Sequence, residues 1–140
     1  MIRIKDILKL KTLSQAQFLT NEEKKNNIVR SVNIMDAPDI INWVKKNELL
    51  LTTGFSMYKK INNLDKFVKN LSESGCSGLA IKSNRYFNNI PPQIIKSGNK
   101  YGLPIIEIPN DVVLGEVLNE ILNEILLKDK LKQNKIIPLL

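Results

Sequence analysis

The sequence predicts an α/β domain in which a mainly parallel central sheet is flanked by helices and followed by a long C-terminal helix. Short runs of consecutive apolar residues, such as 78–82, are typical of strands that are covered on both faces. These runs alternate with helical patterns across short loops, as in parallel βαβ units with right-handed crossovers. A length of 140 residues is enough for one sheet-centred core.

The N-terminal quarter is predicted to contribute a helix and two strands. Helical spacing predicts a short first helix through four apolar residues, Ile4, Ile7, Leu8 and Leu10. A first strand is predicted over residues 15–20, a polar loop over 21–27 and a second strand over 28–35, where alternation favours one face for burial.

A helix is predicted to begin at Asp36 and to end at residues 45–47. Asp36 can cap this helix, Pro38 is tolerated in a first turn, and Asp39 complements the positive end of the helix dipole. Trp43 has the spacing of the apolar residues of the helix. We therefore expect Trp43 in the core and not as a stacking platform for a ligand.

From residue 48 onward, strands and helices are predicted to alternate. Two amphipathic patterns predict helices, one that ends at Gly75 and one that begins at Pro91-Pro92 and ends near Gly102. Consecutive apolar residues predict three strands, over 48–54, 78–82 and 103–109.

The chain is predicted to divide into an α/β domain over residues 1–111 and a C-terminal helix over 112–135. Acidic residues precede lysines along this helix, an order that suits the helix dipole. Packing on the domain's own core is the default interpretation of its apolar stripe. The stripe is wide for one domain surface, so a dimer or inter-domain contact is the second interpretation. The residues predicted for that contact are Val117, Leu118, Ile121, Leu122 and Ile125.

Composition removes most catalytic chemistry. The sequence has no histidine and one cysteine, which excludes a Ser-His-Asp or Cys-His arrangement, an internal disulfide and the His-containing zinc sites. We therefore expect no catalytic residue, no metal and no cofactor, and we interpret Cys76 as a small packing residue. Lysines spread along the chain account for a net charge of +7 and favour a solvated surface over a nucleic-acid stripe.

The location of the protein is predicted from what the sequence lacks. There is no signal-peptide pattern at the N-terminus and no apolar run long enough to span a bilayer. The single cysteine fits a reducing compartment. We therefore expect a cytoplasmic protein without membrane contact.

Candidate ligand-binding residues follow the predicted strands. In open α/β sheets, ligands bind at the carboxyl ends of the strands. Groups able to contact a ligand there are Asp36, Thr52, Thr53, Gly54, Lys82 and Arg85. Each also has a structural interpretation: Asp36 as an N-cap, residues 52–54 as the end of a strand and its turn, and the two cations as exposed surface residues.

Three motifs occur in order along the chain: Met-Asp-Ala-Pro-Asp at 35–39, Glu-Leu-Leu-Leu-Thr-Thr-Gly at 48–54, and Leu-Pro-Ile-Ile-Glu-Ile-Pro at 103–109. In combination they resemble the N-terminal domain of the purine-catabolism-regulator (PucR) family, and the resemblance covers residues 1–125. The turn at 48–54 is also similar to one in the N-terminal domains of Mur ligases and HPr kinases. In Mur ligases that domain holds a uridine nucleotide, a similarity that concerns the fold alone.

The resemblance implies a bacterial transcription regulator whose N-terminal domain senses a signal and whose C-terminal helix-turn-helix binds DNA. No helix-turn-helix pattern follows Asp111, so DNA binding is expected from a C-terminal region outside this chain, toward which the helix over 112–135 leads. We expect a homodimeric sensory domain for a small molecule linked to purine or nitrogen catabolism. The alternative is a dimerisation module without a small-molecule ligand, and an enzyme is the least supported class.

Overall fold

The computed structural model describes residues 1–36, 42–54, 63–83 and 90–136, with the backbone alone for 132–136. A sheet at the centre of the domain has the strand order β1-β5-β4-β3-β2. The strands are β1 (Gln17–Phe18), β2 (Ser31–Ile34), β3 (Glu48–Thr52), β4 (Gly78–Lys82) and β5 (Ile105–Ile108). Strands β2 to β5 are parallel to their neighbours, and β1 pairs antiparallel with β5. The predicted, mainly parallel sheet is confirmed.

Helices connect and cover the strands. They are α1 (Ile4–Ile7), α2 (Leu64–Glu73), α3 (Pro92–Tyr101) and α4 (Leu114–Ile136), with 3-10 turns at Lys11–Leu13 and Glu22–Asn26. The side chain of Asn63 begins α2 by accepting a hydrogen bond from the Lys66 N–H at 3.0 Å. Gly102 ends α3 with a φ of 78°, a left-handed conformation that glycine adopts without strain.

The sheet is buried on both faces, as the consecutive apolar residues of β3 require. Leu49 and Leu51 lie in one hydrophobic cluster with residues of α1 and α4, whereas Leu50 lies in a second cluster with residues of α2 and α3. All three side chains are fully buried. Because successive side chains of a strand point to opposite faces, one apolar run fills two separate cores.

The predicted strand over 28–35 is shorter in the structure. The backbone N–H of Val29 donates to the carbonyl of Ile2 at 2.9 Å, and Arg3 and Ile28 form an isolated antiparallel bridge. These residues therefore pair with the start of the chain, and the sheet strand begins only at residue 31.

The prediction that Trp43 lies in the core is wrong, because its side chain is 63% exposed. Residues 43–47 form turns and irregular backbone instead of continuing a helix, so helical spacing does not apply to them. Val44 packs against the second cluster instead. The start of the predicted helix, at residues 37–41, lies outside the described residues.

Helix α4 lies partly inside and partly outside the core. Leu114, Val117 and Ile121 are buried in the first cluster. The helix packs on β2 and β3 and on the 3-10 turn at Lys11–Leu13. Farther along, its large apolar side chains become exposed, at Leu122, Leu126, Leu127 and Leu131. The first two turns of α4 are thus part of the α/β core, and its second half extends beyond it.

Candidate functional site

The carboxyl ends of the parallel strands place three of the predicted site residues in one row. Ile34 of β2 is opposite Leu51 of β3, and the same register, continued by two residues, sets Asp36 beside Thr53. Thr52 of β3 pairs with Ile81 of β4, which in turn sets Thr53 beside Lys82. Neighbouring strands are about 4.8 Å apart, so the extended register places the backbones of Asp36, Thr53 and Lys82 in one row across three strand ends.

Asp36 is held in this row by hydrogen bonds to the end of β3. Its Oδ1 accepts a short hydrogen bond from the Thr52 hydroxyl and a second from the Thr53 N–H, at 3.0 Å. The Thr52 hydroxyl accepts in turn from the Gly54 N–H at 3.1 Å. Gly54 has a φ of 81°, a value that favours glycine. The Thr-Thr-Gly motif therefore holds the Asp36 carboxylate in position through hydrogen bonds.

The residues of this network differ in accessibility. Thr52 and Gly54 are buried, Thr53 is half-buried and Asp36 is exposed. Direct ligand contact through the Thr52 side chain is therefore disfavoured, since that hydroxyl is buried and already bonded. Asp36 and the backbone around Thr53 are the parts of the motif that border solvent.

The same edge of the sheet continues through β4 and β5. Lys82 is half-buried, and the next residue, Ser83, donates its hydroxyl to Glu107 Oε2 at 2.7 Å. Glu107 is not among the predicted site residues, although a glutamate between two apolar residues of a strand is a signal that the sequence carries. Arg85, the other predicted cation, lies outside the described residues.

A groove of about 550 Å³ lies at the opposite edge of the sheet, where β2 begins. Ile2 and Val29, both buried, contribute apolar surface to it. Charged groups are supplied by Arg30 and by the second half of α4. The full lining is Met1, Ile2, Val29, Arg30, Ile125, Lys128, Asp129 and Leu131. This groove is not predictable from local sequence, because segments that are distant along the chain form it.

The residues predicted for a dimer or inter-domain contact divide into two groups. Val117 and Ile121 are fully buried in the first cluster, so they are core residues and are not available to a partner. Leu118 and Ile125 are partly buried against that cluster, and Leu122 is exposed. Any contact made by α4 therefore falls to the side chains outside the core.

Two groups that could carry chemistry have structural surroundings. Cys76 is buried, and its Sγ donates to the carbonyl oxygens of Glu48 and Gly78, each at 3.3 Å. Burial raises the pKa of the Cys76 thiol to about 12. Across the described ranges, no cluster of three metal-ligating side chains occurs. No described helix is both long and apolar enough to cross a membrane.

A family model and a bacterial relative both match most of this chain and point to the same family. The model of the "Purine catabolism regulatory protein-like family" (PucR) matches residues 6–125. The chain is 36% identical over 116 residues to the purine catabolism regulatory protein of Bacillus subtilis (strain 168). That alignment covers 83% of this chain and 22% of the relative, so this chain spans less than a quarter of the relative's length.

A solved structure shares the fold. It comprises the CBS and DRTGG domains of the regulatory region of Clostridium perfringens pyrophosphatase, complexed with its activator diadenosine tetraphosphate. The TM-score is 0.54 at 20% identity, over 83% of this chain and 45% of that one. The family match and the bacillary relative together show that the chain belongs to the purine catabolism regulatory protein-like (PucR) family.

Proposed function

We propose that this domain is the effector-sensing part of a PucR-like transcription regulator, and that its effector is a small molecule linked to purine or nitrogen catabolism. Membership of the family and the name of the bacillary relative support this proposal. The domain acts without catalysis, and DNA is bound by a region of the regulator outside this chain.

One observation carries the proposal, the row of Asp36, Thr53 and Lys82 at the carboxyl edge of the sheet. It offers a carboxylate acceptor, backbone groups and a cation within a short span. Purines and ureides present ring or amide N–H donors beside carbonyl acceptors, so both kinds of protein group find a complement. Because Asp36 is already anchored to β3, a ligand would meet a carboxylate whose position is fixed in advance.

The solved structure with the same fold supports a regulatory use of this architecture, since it is a regulatory region complexed with a nucleotide activator. At 20% identity it does not specify a ligand or its position for this chain. The choice of purine-related compounds therefore comes from the family and from the chemistry of the row.

A thermal-shift screen of the chain against purines, allantoin, other ureides and nucleotides tests the proposal. A ligand present at a hundred times its Kd stabilises the folded state by about 2.7 kcal/mol, which raises the Tm by roughly 10 °C for a domain of this size. If no compound shifts the Tm, the sensing proposal fails and the dimerisation module becomes the better account.

Variants then locate the site. Lys82→Ala should weaken the binding of the identified ligand about tenfold or more, because a charge-assisted contact is lost. Lys96→Ala on α3 is the control, because Lys96 is an exposed lysine that is not part of the row, and should leave the Kd unchanged. Equal Kd values for both variants would contradict the carboxyl edge as the binding site, whereas the proposal that the domain binds an effector would stand.

A second candidate, a dimerisation module without a ligand, is favoured by the exposed leucines of α4. Contiguous exposed apolar surface on a globular domain marks an interaction site. Dimerisation is compatible with effector sensing, and we propose a homodimer in either case.

A further inference from the structure

The second half of α4 carries an amphipathic face that does not belong to the core. Glu124, Leu127, Lys128 and Leu131 follow the spacing i, i+3, i+4, i+7, which places them on one side of the helix. Leu127 is 52% exposed and Leu131 is 50% exposed. We call these four residues the tail face.

The tail face borders the groove at the amino edge of the sheet. Lys128 and Leu131 belong to the tail face and also line this groove of about 550 Å³. Met1 and the buried Ile2 line it from the N-terminal segment. The exposed tail face and the groove therefore lie next to each other on one molecule. In a two-fold symmetric dimer, the tail face of each copy can pack beside the groove of the other.

The order of charges along α4 favours a second copy of the chain as the partner, with the two helices antiparallel. On the tail face, Glu124 precedes Lys128 by one helical turn. When two such helices lie antiparallel, Glu124 of each lies toward Lys128 of the other, whereas a parallel pair sets like charges together. Within the described residues, neither Glu124 nor Lys128 has a salt-bridge partner in its own chain. Both remain available to a second copy.

We infer that two copies of the chain pair antiparallel through the tail face, with Leu127 at the centre, Leu131 flanking it, and Glu124 of each copy beside Lys128 of the other. A pairing centred near Leu127 sets Leu127 of the two copies opposite each other and brings Glu124 within one helical turn of the partner's Lys128. The groove beside each tail face receives side chains of the partner's helix. This inference rests on the homodimer proposed above and specifies its interface.

Sedimentation velocity and light scattering of the 140-residue chain over a concentration series test the interface. Leu127→Glu and Leu131→Glu should each raise the dimer Kd at least about tenfold, because a charge enters the apolar centre. Leu126→Glu is the matched control. Leu126 is the preceding residue of the same helix and is 64% exposed, but it points to a different side. Its Kd should stay within about threefold of the wild-type value.

Charge reversal tests the direction. Glu124→Lys and Lys128→Glu should each weaken the dimer about tenfold, since each creates like-charge contacts in an antiparallel pair. The double variant should recover most of the wild-type affinity. In a parallel pair, the single variants would leave the dimer Kd nearly unchanged, and the double variant would therefore have no lost affinity to restore. Circular dichroism melting curves confirm that each variant is folded.

The outcomes separate the two proposals. A wild-type chain that remains monomeric at about 100 μM, well above the Kd of ordinary specific interfaces, overturns the homodimer and its interface together. A dimer that resists Leu127→Glu and Leu131→Glu, or that is weakened equally by Leu126→Glu, leaves the homodimer in place and overturns the tail face as its contact.

Discussion

The carboxylate of Glu120 on α4 accepts two hydrogen bonds from a single residue, Thr12, near the other end of the chain. Glu120 Oε1 lies 2.9 Å from the backbone nitrogen of Thr12 and 2.7 Å from its hydroxyl oxygen, across a separation of 108 residues. Hydrogen bonds to a charged acceptor are stronger than neutral ones. This contact fixes α4 against the 3-10 turn at Lys11–Leu13.

Glu120→Ala should lower the free energy of unfolding by about 1.5–3 kcal/mol, because two donors lose a charged acceptor. Glu116→Ala is the control, since Glu116 is exposed, lies one turn earlier and undergoes the same change in helix propensity. Its effect should stay within about 0.5 kcal/mol. Urea unfolding curves measure both, and similar losses for the two variants would contradict the role of the Thr12 contact.

Two helical glycines should respond to alanine in opposite directions. A Cβ at Gly98 on α3 would lie 2.7 Å from Ile105 Cγ1 and 2.7 Å from the carbonyl oxygen of Leu103. Gly98→Ala should therefore cost about 1–3 kcal/mol through overpacking. A Cβ at Gly115 on α4 would meet nothing within 4 Å, so Gly115→Ala should stabilise the domain by about 0.5–1 kcal/mol. The Tm of each variant checks the sign, and a stabilised Gly98→Ala would contradict the close approach of α3 to β5.

The acid stability of the domain should depend on Asp65, which joins α2 to α3. Ser97 donates its hydroxyl to Asp65 Oδ1 at 2.7 Å and Tyr101 donates to Oδ2 at 2.8 Å. The hydrogen bond from Ser97, followed by that from Tyr101, lowers the pKa of Asp65 below 3.8. A carboxyl whose pKa is lowered by folding contributes stability above its unfolded pKa and loses it as the pH falls through its folded pKa.

Ser97→Ala should therefore raise the pKa of Asp65 toward 3.8, as followed by NMR titration of the side-chain carboxyl. Above pH 3.8 the wild type should be more stable than the variant, and this advantage should shrink as the pH falls below that value. An Asp65 pKa that does not change in Ser97→Ala would show that the hydrogen bond is not its cause.

Cys76 should behave as an inert thiol in the folded protein. Burial raises its pKa from 9.0 to about 12, so the folded state contains almost no thiolate at neutral pH. A disulfide reagent should label Cys76 only as fast as the domain opens, and labelling at the rate of a free thiol would refute its burial.

The same shift predicts alkaline behaviour. A group whose pKa is raised by folding contributes stability below its unfolded pKa and loses it as the pH rises toward its folded pKa. The stability of the wild type relative to Cys76→Ala should therefore decline between pH 9.0 and about 12. A constant difference over that range would contradict the shift.

Local pattern was sufficient to predict the central elements. The strand at Gly78–Lys82 was predicted with the bounds that the structure gives, because a short run of consecutive apolar residues bounded by small residues is typical of a buried strand. Helix α3 was predicted nearly to the residue by its initial prolines and Gly102. The antiparallel pairing of β1 could not be predicted, because a strand of two residues shows no periodicity that would distinguish it from a parallel strand.

Contacts between distant residues escaped prediction. Nothing in the neighbourhood of Thr12 indicates that it binds Glu120, and the groove joins Met1 and Ile2 to Lys128 and Leu131. The hydroxyl of Thr52, a predicted ligand contact, donates to Asp36, a pairing that the sequence does not indicate. Sequence pattern identified the polar residues at the carboxyl edge, but only the register shows which of them bond to one another.

Helix α4 is held by the core at Leu114, Val117 and Ile121 and extends from there as one continuous rod to Ile136. At 1.5 Å per residue, the 15 steps beyond Ile121 measure about 22 Å. A tilt of about 5° at the anchored end would displace the far end by about 2 Å on this geometry. Since α4 starts just after β5 leaves the carboxyl edge, a tilt at that edge would, on this geometry, become a larger displacement at the far end of the helix.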